Sequence, residues 1–241
     1  MNQLVQNSDW YQNKVYSAKR GWGMLAYYVI GHILVIPIVF YVALLMAYDE
    51  ATATLYAQAV SDSFSLLFML MLFLPLLQDS FERMKGKVVY TVLHSIKWYV
   101  PLVLCNAGVS MIIQMTTNLT ESNNQAMVEQ MFKQSILSIA IPSLLVAPIV
   151  EELVFRGIIF RSLRKHGFWL ASLASCLSFG LLHVVTSLFT GDFTDLIFVL
   201  PYAIMGFFFC LAYEKTKNIY GCIILHVLNN TIAMLAMVFM L

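Results

Sequence analysis

Charge is scarce in this chain. Asp, Glu, Lys and Arg make up 11% of its 241 residues, where a soluble globular domain carries about 25%. Apolar residues reach 60% and the mean hydropathy is +0.78, so a water-soluble domain is excluded. Metal-binding and disulfide spacings are missing as well. The four cysteines, Cys105, Cys176, Cys210 and Cys222, stand in apolar runs with no CxxC or zinc-knuckle spacing, and they read as buried thiols. No HExxH segment is present, which removes the usual helix-borne zinc-protease motif. No Ser in a GxSxG-like context shares a helix face with a His, which disfavours serine catalysis. No internal repeat is visible, which removes a main sign of an inverted-repeat transporter.

What remains is a chain rich in membrane-length apolar runs. At roughly 20 apolar residues per crossing, its length allows six to eight helices. Residues 1–20 are polar and end in Lys19 and Arg20. The run Trp22 to Tyr48 is too long for a signal-peptide core and is expected to be a first transmembrane helix, not a removed leader. His32 within it reads as a packed or interfacial residue. A second span is expected over about Ala59 to Leu77. A third runs from Val88 to Met115, with His94, Lys97, Trp98 and Tyr99 at the interface and Pro101 opening the span proper. Thr116 to Gln134 reads as a polar loop. A fourth span starts near Ser135 and ends in the basic cluster Arg161, Arg164, Lys165. The fifth covers Phe168 to Phe189, the sixth Asp195 to Tyr213 and the seventh Ile219 to Leu241.

The expected fold is therefore all-α, a single polytopic bundle over residues 1–241 with about seven spans. Basic residues orient it. With the N-terminus in the cytoplasm, the inner segments hold Lys14, Lys19, Arg20, Arg83, Lys85, Lys87, Arg161, Arg164, Lys165, Lys215 and Lys217, which is eleven of the fourteen Lys and Arg residues. The outer segments hold Asp49, Glu50, Asp62, Glu121, Glu129, Asp192 and Asp195. That parity predicts N-in, C-out.

The fourth span carries the chemistry. Glu151 and Glu152 are adjacent carboxylates inside an apolar run, and ionisable groups at membrane depth are functional suspects. On a helix Glu152 and Arg156 stand at i and i+4 and can pair, whereas Glu151 points about 100° away. Its partner must come from another helix. Pro142 and Pro148 lie one and two turns ahead of the pair; each alone reads as an ordinary kink, and together they point to a loosened helix beside a cavity. The polar candidates on other spans are His183, and His226 with Asn230 at i and i+4. Measured from the cytoplasmic turns at ~1.5 Å per residue, Glu151 lies about 21 Å deep, His183 about 25–27 Å, His226 about 12 Å and Asn230 about 18 Å. They meet only if the helices tilt. Taken singly, each of these residues also reads as a packing element. Asn229 reads as a bystander.

Glu151-Glu152-x-x-x-Arg156, Phe179-x-x-x-His183 and His226-x-x-x-Asn230, in this order on successive helices, resemble the signature of the CPBP family of intramembrane proteases. That family includes the type II CAAX prenyl endopeptidases and the bacteriocin-processing or immunity-associated Abi proteins. The resemblance covers residues 135–232 as a catalytic core and leaves residues 1–134 as three additional N-terminal helices. It implies peptide-bond hydrolysis at or within the membrane. Glu151 would be the general base, His183 would help hold the water, and His226 with Asn230 would stabilise the oxyanion. Glu152, Arg156 and Phe179 would support them. The elementary chemistry agrees, since burial makes a carboxyl a stronger base near neutral pH.

Zinc would take three protein ligands and leave one position for water, and Glu151, His183 and His226 are the three available. That assignment uses the one free carboxylate and leaves no base beside the bound water, so catalysis without metal or other cofactor is expected. The expected partners are the lipid bilayer and a peptide or protein substrate within it, not nucleic acid. The expected location is a bacterial plasma membrane, and a small secreted or membrane peptide precursor is a better substrate candidate than a prenylated protein. A non-catalytic bacteriocin-immunity or binding protein and an ion or solute transporter are the alternatives.

Overall fold

The computed structural model describes residue 10 and residues 18–46 and 49–240, and every regular element among them is helical. Lys14 and the side chains of His32 and Glu50 lie outside the described part. Helix α1 is Ala18–Leu45 and α2 is Glu50–Met84. Asp49 caps α2 by accepting the Thr52 amide at 2.9 Å, which satisfies one of the donors a helix start leaves open. Gly86, at φ +71°, turns the chain into α3, Val88–Ile96. After a break at Lys97 and Trp98 follows α4, Tyr99–Thr117.

The expected loop after α4 is half helical. Asn123–Gln134 forms α5, because Ser122 accepts the Gln125 amide at its N-terminus and the apolar side chains of Val128, Met131 and Phe132 pack against Ile139 and Met234. A polar average hid this amphipathic face. Residues 136–166 then form one helical rod, α6, containing two π-helical stretches, Pro142–Val146 and Leu153–Phe160. Gly167, at φ +118°, leads into α7, Phe168–His183. The expected fifth span stops there, since Val184 leaves helical geometry at φ −116°, ψ 14°. The short helix α8, Val185–Thr190, and a 3₁₀ turn, Phe193–Phe198, precede α9, Val199–Thr216, and α10, Ile219–Met240.

Helix α6 occupies the centre. Every residue from Glu152 to Arg161 is buried, among Phe179, Phe209, Tyr213 and Leu225 of the surrounding helices. The outer faces of α4 and α7 expose Leu104, Ile112, Leu173 and Leu177, the inverse of a soluble surface and the surface that lipid covers. Cys105 is exposed on that face, whereas Cys176, Cys210 and Cys222 are buried; the expectation of four buried thiols fails for Cys105 because α4 presents it outward. Among the described residues, Thr52–Met84, Val88–Thr117, Phe193–Thr216 and Ile219–Phe239 are long and apolar enough to cross a membrane, with Phe168–His183 shorter. A count of seven crossings requires α1, α6 and α7 to cross too.

Two sets of contacts define the ends of the bundle. Arg164 donates two hydrogen bonds to Glu214, at 2.8 and 2.7 Å, and Asn218 donates to the Ser80 carbonyl at 2.7 Å. At the opposite end of α9, the Asn123 amide donates to Asp195 at 2.9 Å and the Asn123 side chain to Asp192 at 3.2 Å. Asp62 belongs to neither set. It sits within α2 and lines an internal cavity, because α2 extends well beyond the apolar run from which its start was read. Arg161 is no surface charge either, being buried with its guanidinium donating to the Tyr213 hydroxyl at 3.2 Å.

Candidate active site

The two prolines of α6 shape the site. In the first π stretch the Ala147 amide reaches back five residues to the Pro142 carbonyl. The Ser143 carbonyl would then take the amide of residue 148, but Pro148 has none. The Asn230 side chain fills that place, donating to the Ser143 carbonyl at 2.8 Å. The missing proton in one helix thus anchors α10 against it, between the two helices that carry the carboxylates and His226. π-Stretches of this kind gather at functional sites.

Glu152 and Arg156 pair as their spacing predicts. Arg156 Nη1 donates to Glu152 Oε1 at 2.9 Å, both side chains fully buried. The guanidinium lies over the rings of Phe179 at 4.8 Å and Phe209 at 5.2 Å, and its Nη2 donates to the Gly206 carbonyl at 2.8 Å. Aromatic faces, a carboxylate and a carbonyl together replace the water a buried cation loses. Gly206 permits this close approach, since a Cβ would stand a tight 3.2 Å from Arg156 Nη2 and 3.2 Å from the Cys176 Cα.

The two histidines are fixed in complementary ways. His226 Nδ1 donates to Glu152 Oε1 at 2.9 Å and its ring stacks on Phe209 at 4.5 Å. His183 Nδ1 donates to the Phe179 carbonyl at 2.8 Å, and its ring lies between those of Phe179 at 4.5 Å and Tyr202 at 4.3 Å. A carbonyl and a carboxylate only accept, so each Nδ1 carries a proton and each Nε2 is left to face the cavity. Both Nε2 atoms face Glu151 Oε2, each at 3.9 Å. That is too long for a direct hydrogen bond, and Glu151 Oε2 is buried with no hydrogen-bond partner. One small polar molecule bridges such a gap.

All seven residues singled out in the sequence therefore converge, despite the shallower depth expected for His226. Asn230 joins the cluster through Ser143 and lines the same cavity as Glu151, His183 and His226, a space of about 590 Å³ reaching Ser122 and Asn124 of the α5 start. Asn229 also lines it and donates to Asn230 Oδ1 at 3.2 Å. Sequence reading missed Tyr202, whose hydroxyl meets Ser122 Oγ at 2.8 Å and accepts from Asn124 at 3.2 Å. The available signal was a tyrosine in an apolar run beside Pro201, since a phenol inside a membrane needs a polar partner.

Zinc does not fit the donors as they stand. Tetrahedral ligands at 2.0–2.1 Å from the metal lie about 3.3 Å from one another, against 3.9 Å from Glu151 to each histidine. Among the described residues no group of three or more His, Cys, Asp and Glu has metal-binding spacing.

Comparison with known proteins places this cluster in context. Residues 133–232 match the family model described as type II CAAX prenyl endopeptidase Rce1-like. The chain is 37% identical over 110 residues to a Bacillus subtilis (strain 168) protein named "Putative membrane peptidase YdiL", covering 45% of this chain and 40% of that protein. It is 28% identical over 175 residues to an uncharacterised protein of Mycoplasma capricolum subsp. capricolum, covering 65% of this chain and 49% of the relative. The chain thus spans less than half the length of either relative. No solved structure matches it.

Proposed function

Residues 133–232 match the Rce1-like family model of type II CAAX prenyl endopeptidases, and from that premise we propose that this multi-pass membrane protein is an intramembrane endopeptidase whose nucleophile is a water activated by Glu151. The observation that carries the proposal is the convergence of His183 Nε2 and His226 Nε2 on Glu151 Oε2 at 3.9 Å, with both Nδ1 atoms already committed.

A water at ordinary hydrogen-bond distance closes both gaps. It donates one proton to Glu151 and the other to His183, which leaves its lone pair free for a peptide carbonyl. Two carboxylates and one guanidinium leave one excess negative charge in the buried cluster, and a proton on His226 neutralises it, with Glu152 sharing the imidazolium charge. His226 Nε2–H and the second Asn230 N–H are then the donors for the tetrahedral oxyanion, where a single such donor contributes about 2.7–4 kcal/mol. Glu151 takes the proton of the attacking water and returns it to the leaving amine as the C–N bond breaks. No metal takes part in these steps.

The substrate class that suits this site is a peptide precursor, secreted or membrane-associated, whose scissile segment enters from the bilayer, and the setting is a bacterial plasma membrane. The test uses the purified chain in lipid nanodiscs with a quenched-fluorescence library of membrane-anchored peptides, prenylated and unprenylated. Cleavage lost in Glu151→Gln supports the reading. Cleavage unchanged in Glu151→Gln removes Glu151 as base, and no cleavage of any peptide by the wild-type chain favours a binding role for the same cavity.

A further inference from the structure

Among the described residues, Tyr202 is the aromatic side chain that touches a site histidine and a polar helix start together. Its ring lies on His183 with centroids 4.3 Å apart and planes 23° from parallel. Its hydroxyl meets Ser122 Oγ at 2.8 Å and the Asn124 amide at 3.2 Å. Ser122 is the N-cap of α5, accepting the Gln125 amide at 3.1 Å, and is 3% exposed. The Asn123 amide, between the two, is held by Asp195 at 2.9 Å, and Asp195 in turn accepts from Ser187 Oγ at 2.6 Å. Ser122, Asn124 and the apolar face of α5 border the cavity that contains Glu151.

His183 needs such support. It is the last residue of α7, and the next residue, Val184, already leaves helical geometry. The Nδ1–H bond to the Phe179 carbonyl restrains one edge of the ring, and that bond alone leaves the plane free to swing about it. Two flanking rings remove that freedom: Phe179 from the same helix and Tyr202 from α9. Phe179 is itself held under the Arg156 guanidinium at 4.8 Å. Tyr202 is held at its far end by the start of α5, which lines the cavity. A hydroxyl with two partners on one helix start and a ring on the catalytic histidine transmits the seating of that helix to the aim of Nε2.

We propose that Tyr202 is a positioning residue for His183, and that its bonds to Ser122 and Asn124 make the seating of α5 over the cavity a condition for aiming His183 Nε2 at Glu151. The catalytic part of this proposal rests on the endopeptidase reading above, whereas the positioning part stands without it. On this proposal a peptide that displaces α5 on entering releases His183, and α5 realigns it on reseating against bound substrate. Water activation is thereby tied to an occupied, covered site.

The experiment uses the full chain in nanodiscs with ring-labelled histidine, the His183 signals being assigned from a His183→Gln sample. Hydrogen exchange of the His183 Nδ1 proton and its tautomer populations are read by NMR in wild type, Tyr202→Phe, Tyr202→Leu and the double variant Ser122→Ala/Asn124→Ala. The proposal expects a protected Nδ1 proton and a single tautomer in the wild type. It expects exchange about 5-fold faster in Tyr202→Phe and in the double variant, and more than 10-fold faster with mixed tautomers in Tyr202→Leu. On whichever library peptide the wild type cleaves, kcat falls about 10-fold in Tyr202→Phe and the double variant with KM within twofold. Wild-type exchange in Tyr202→Phe and in the double variant overturns the link to α5. Wild-type exchange in Tyr202→Leu overturns the positioning role. If the wild type cleaves nothing, the endopeptidase reading fails while the NMR arm still decides the positioning claim; because two variants keep an aromatic ring at position 202, a misfolded Tyr202→Leu does not remove the test.

Discussion

Glu152 Oε1 is shared by Arg156 Nη1 and His226 Nδ1, each at 2.9 Å. One oxygen thus ties the fixed cation of α6 to the imidazole of α10 and decides which nitrogen of His226 faces Glu151. The adjacent carboxylates consequently differ in role. Glu152 is tied down through Oε1, with its Oε2 buried and unpartnered, whereas Glu151 turns an unpartnered Oε2 toward the two histidines.

That division predicts separable losses. Glu151→Ala and His183→Ala abolish proteolysis and leave the thermal unfolding midpoint within a few degrees of wild type, because both side chains border the cavity and neither is bonded to Arg156. Glu152→Ala or Arg156→Ala strands a charge that is fully buried in the native chain and costs about 3–5 kcal/mol, visible as a large drop in the midpoint together with lost activity. Thermal scans of the four variants in one detergent, beside activity, check this. Equal stability across all four would refute the division.

Much of the site was legible because its logic is local. The i, i+4 spacing gave the Glu152–Arg156 pair, and helix period put His226 and Asn230 on one face. The contact between Glu152 and His226 spans 74 residues, and no periodicity encodes it. Depth counting set His226 too shallow relative to Glu151 because it assumed uniform turns, whereas α6 contains two π stretches. Asp62 was assigned to an outer segment and α5 to a loop for a related reason. Average polarity marks where a span is broken, but not whether the polar residues beyond the break cap a helix or line a cavity. Tyr202 escaped because an aromatic in an apolar run resembles ordinary packing until its hydroxyl partners are known.

The orientation is tested by labelling. In a background without the four native thiols, a single Cys at Lys87, Lys165 or Lys215 is expected to react with a membrane-impermeant maleimide only from the cytoplasmic side. A Cys at Asn123 or Asp192 is expected to react only from outside. The contacts of Arg164 with Glu214, and of Asn123 with Asp192, already group these positions at two ends of the bundle. Labelling at Asp192 from the cytoplasmic face would require a different span count.

Close approach of α7 to α9 gives a third expectation. A Cβ on Gly180 would lie 2.6 Å from the Val199 carbonyl oxygen and 3.1 Å from the Val199 side chain. Both are backbone-proximal, so α7 must shift, three residues ahead of His183. Gly180→Ala is expected to cost about 1–3 kcal/mol as overpacking and to lower kcat at least tenfold. Gly108→Ala, in α4 with nothing within 4 Å of the new Cβ, serves as control and is expected to be neutral or stabilising by up to about 1 kcal/mol. Matching melting curves for the two variants would contradict the close contact.

Metal independence is checked with active protein. Elemental analysis should find far less than one zinc per chain, and a membrane-permeant chelator should leave the cleavage rate unchanged. The reason is the donor set: Glu152 is held by Arg156 and His226, so a zinc on Glu151, His183 and His226 would leave no carboxylate free to take a proton from its water. Stoichiometric zinc whose removal and return switch activity off and on would overturn the metal-free mechanism.

The last expectation concerns Asn230 and Pro148 as a coupled pair. Asn230 donates to the Ser143 carbonyl at 2.8 Å because the chain offers no amide at position 148 to do so. Asn230→Ala therefore leaves a partly buried carbonyl without its partner, a loss of about 1–3 kcal/mol, in addition to any oxyanion donor it removes. Pro148→Ala restores an amide five residues beyond Ser143, in the register that Ala147 already uses toward Pro142. In the double variant the new amide takes over the Ser143 carbonyl, so stability returns toward the Pro148→Ala value while activity stays lost. Residues that share a partner are non-additive in this way, with coupling of about 0.5–3 kcal/mol. A double-mutant cycle of melting midpoints, with cleavage measured on the same four proteins, separates the two roles of Asn230. Strict additivity in stability would mean that Asn230 does not stand in for the missing amide, and recovered activity in the double variant would mean that Asn230 supplies nothing to the oxyanion.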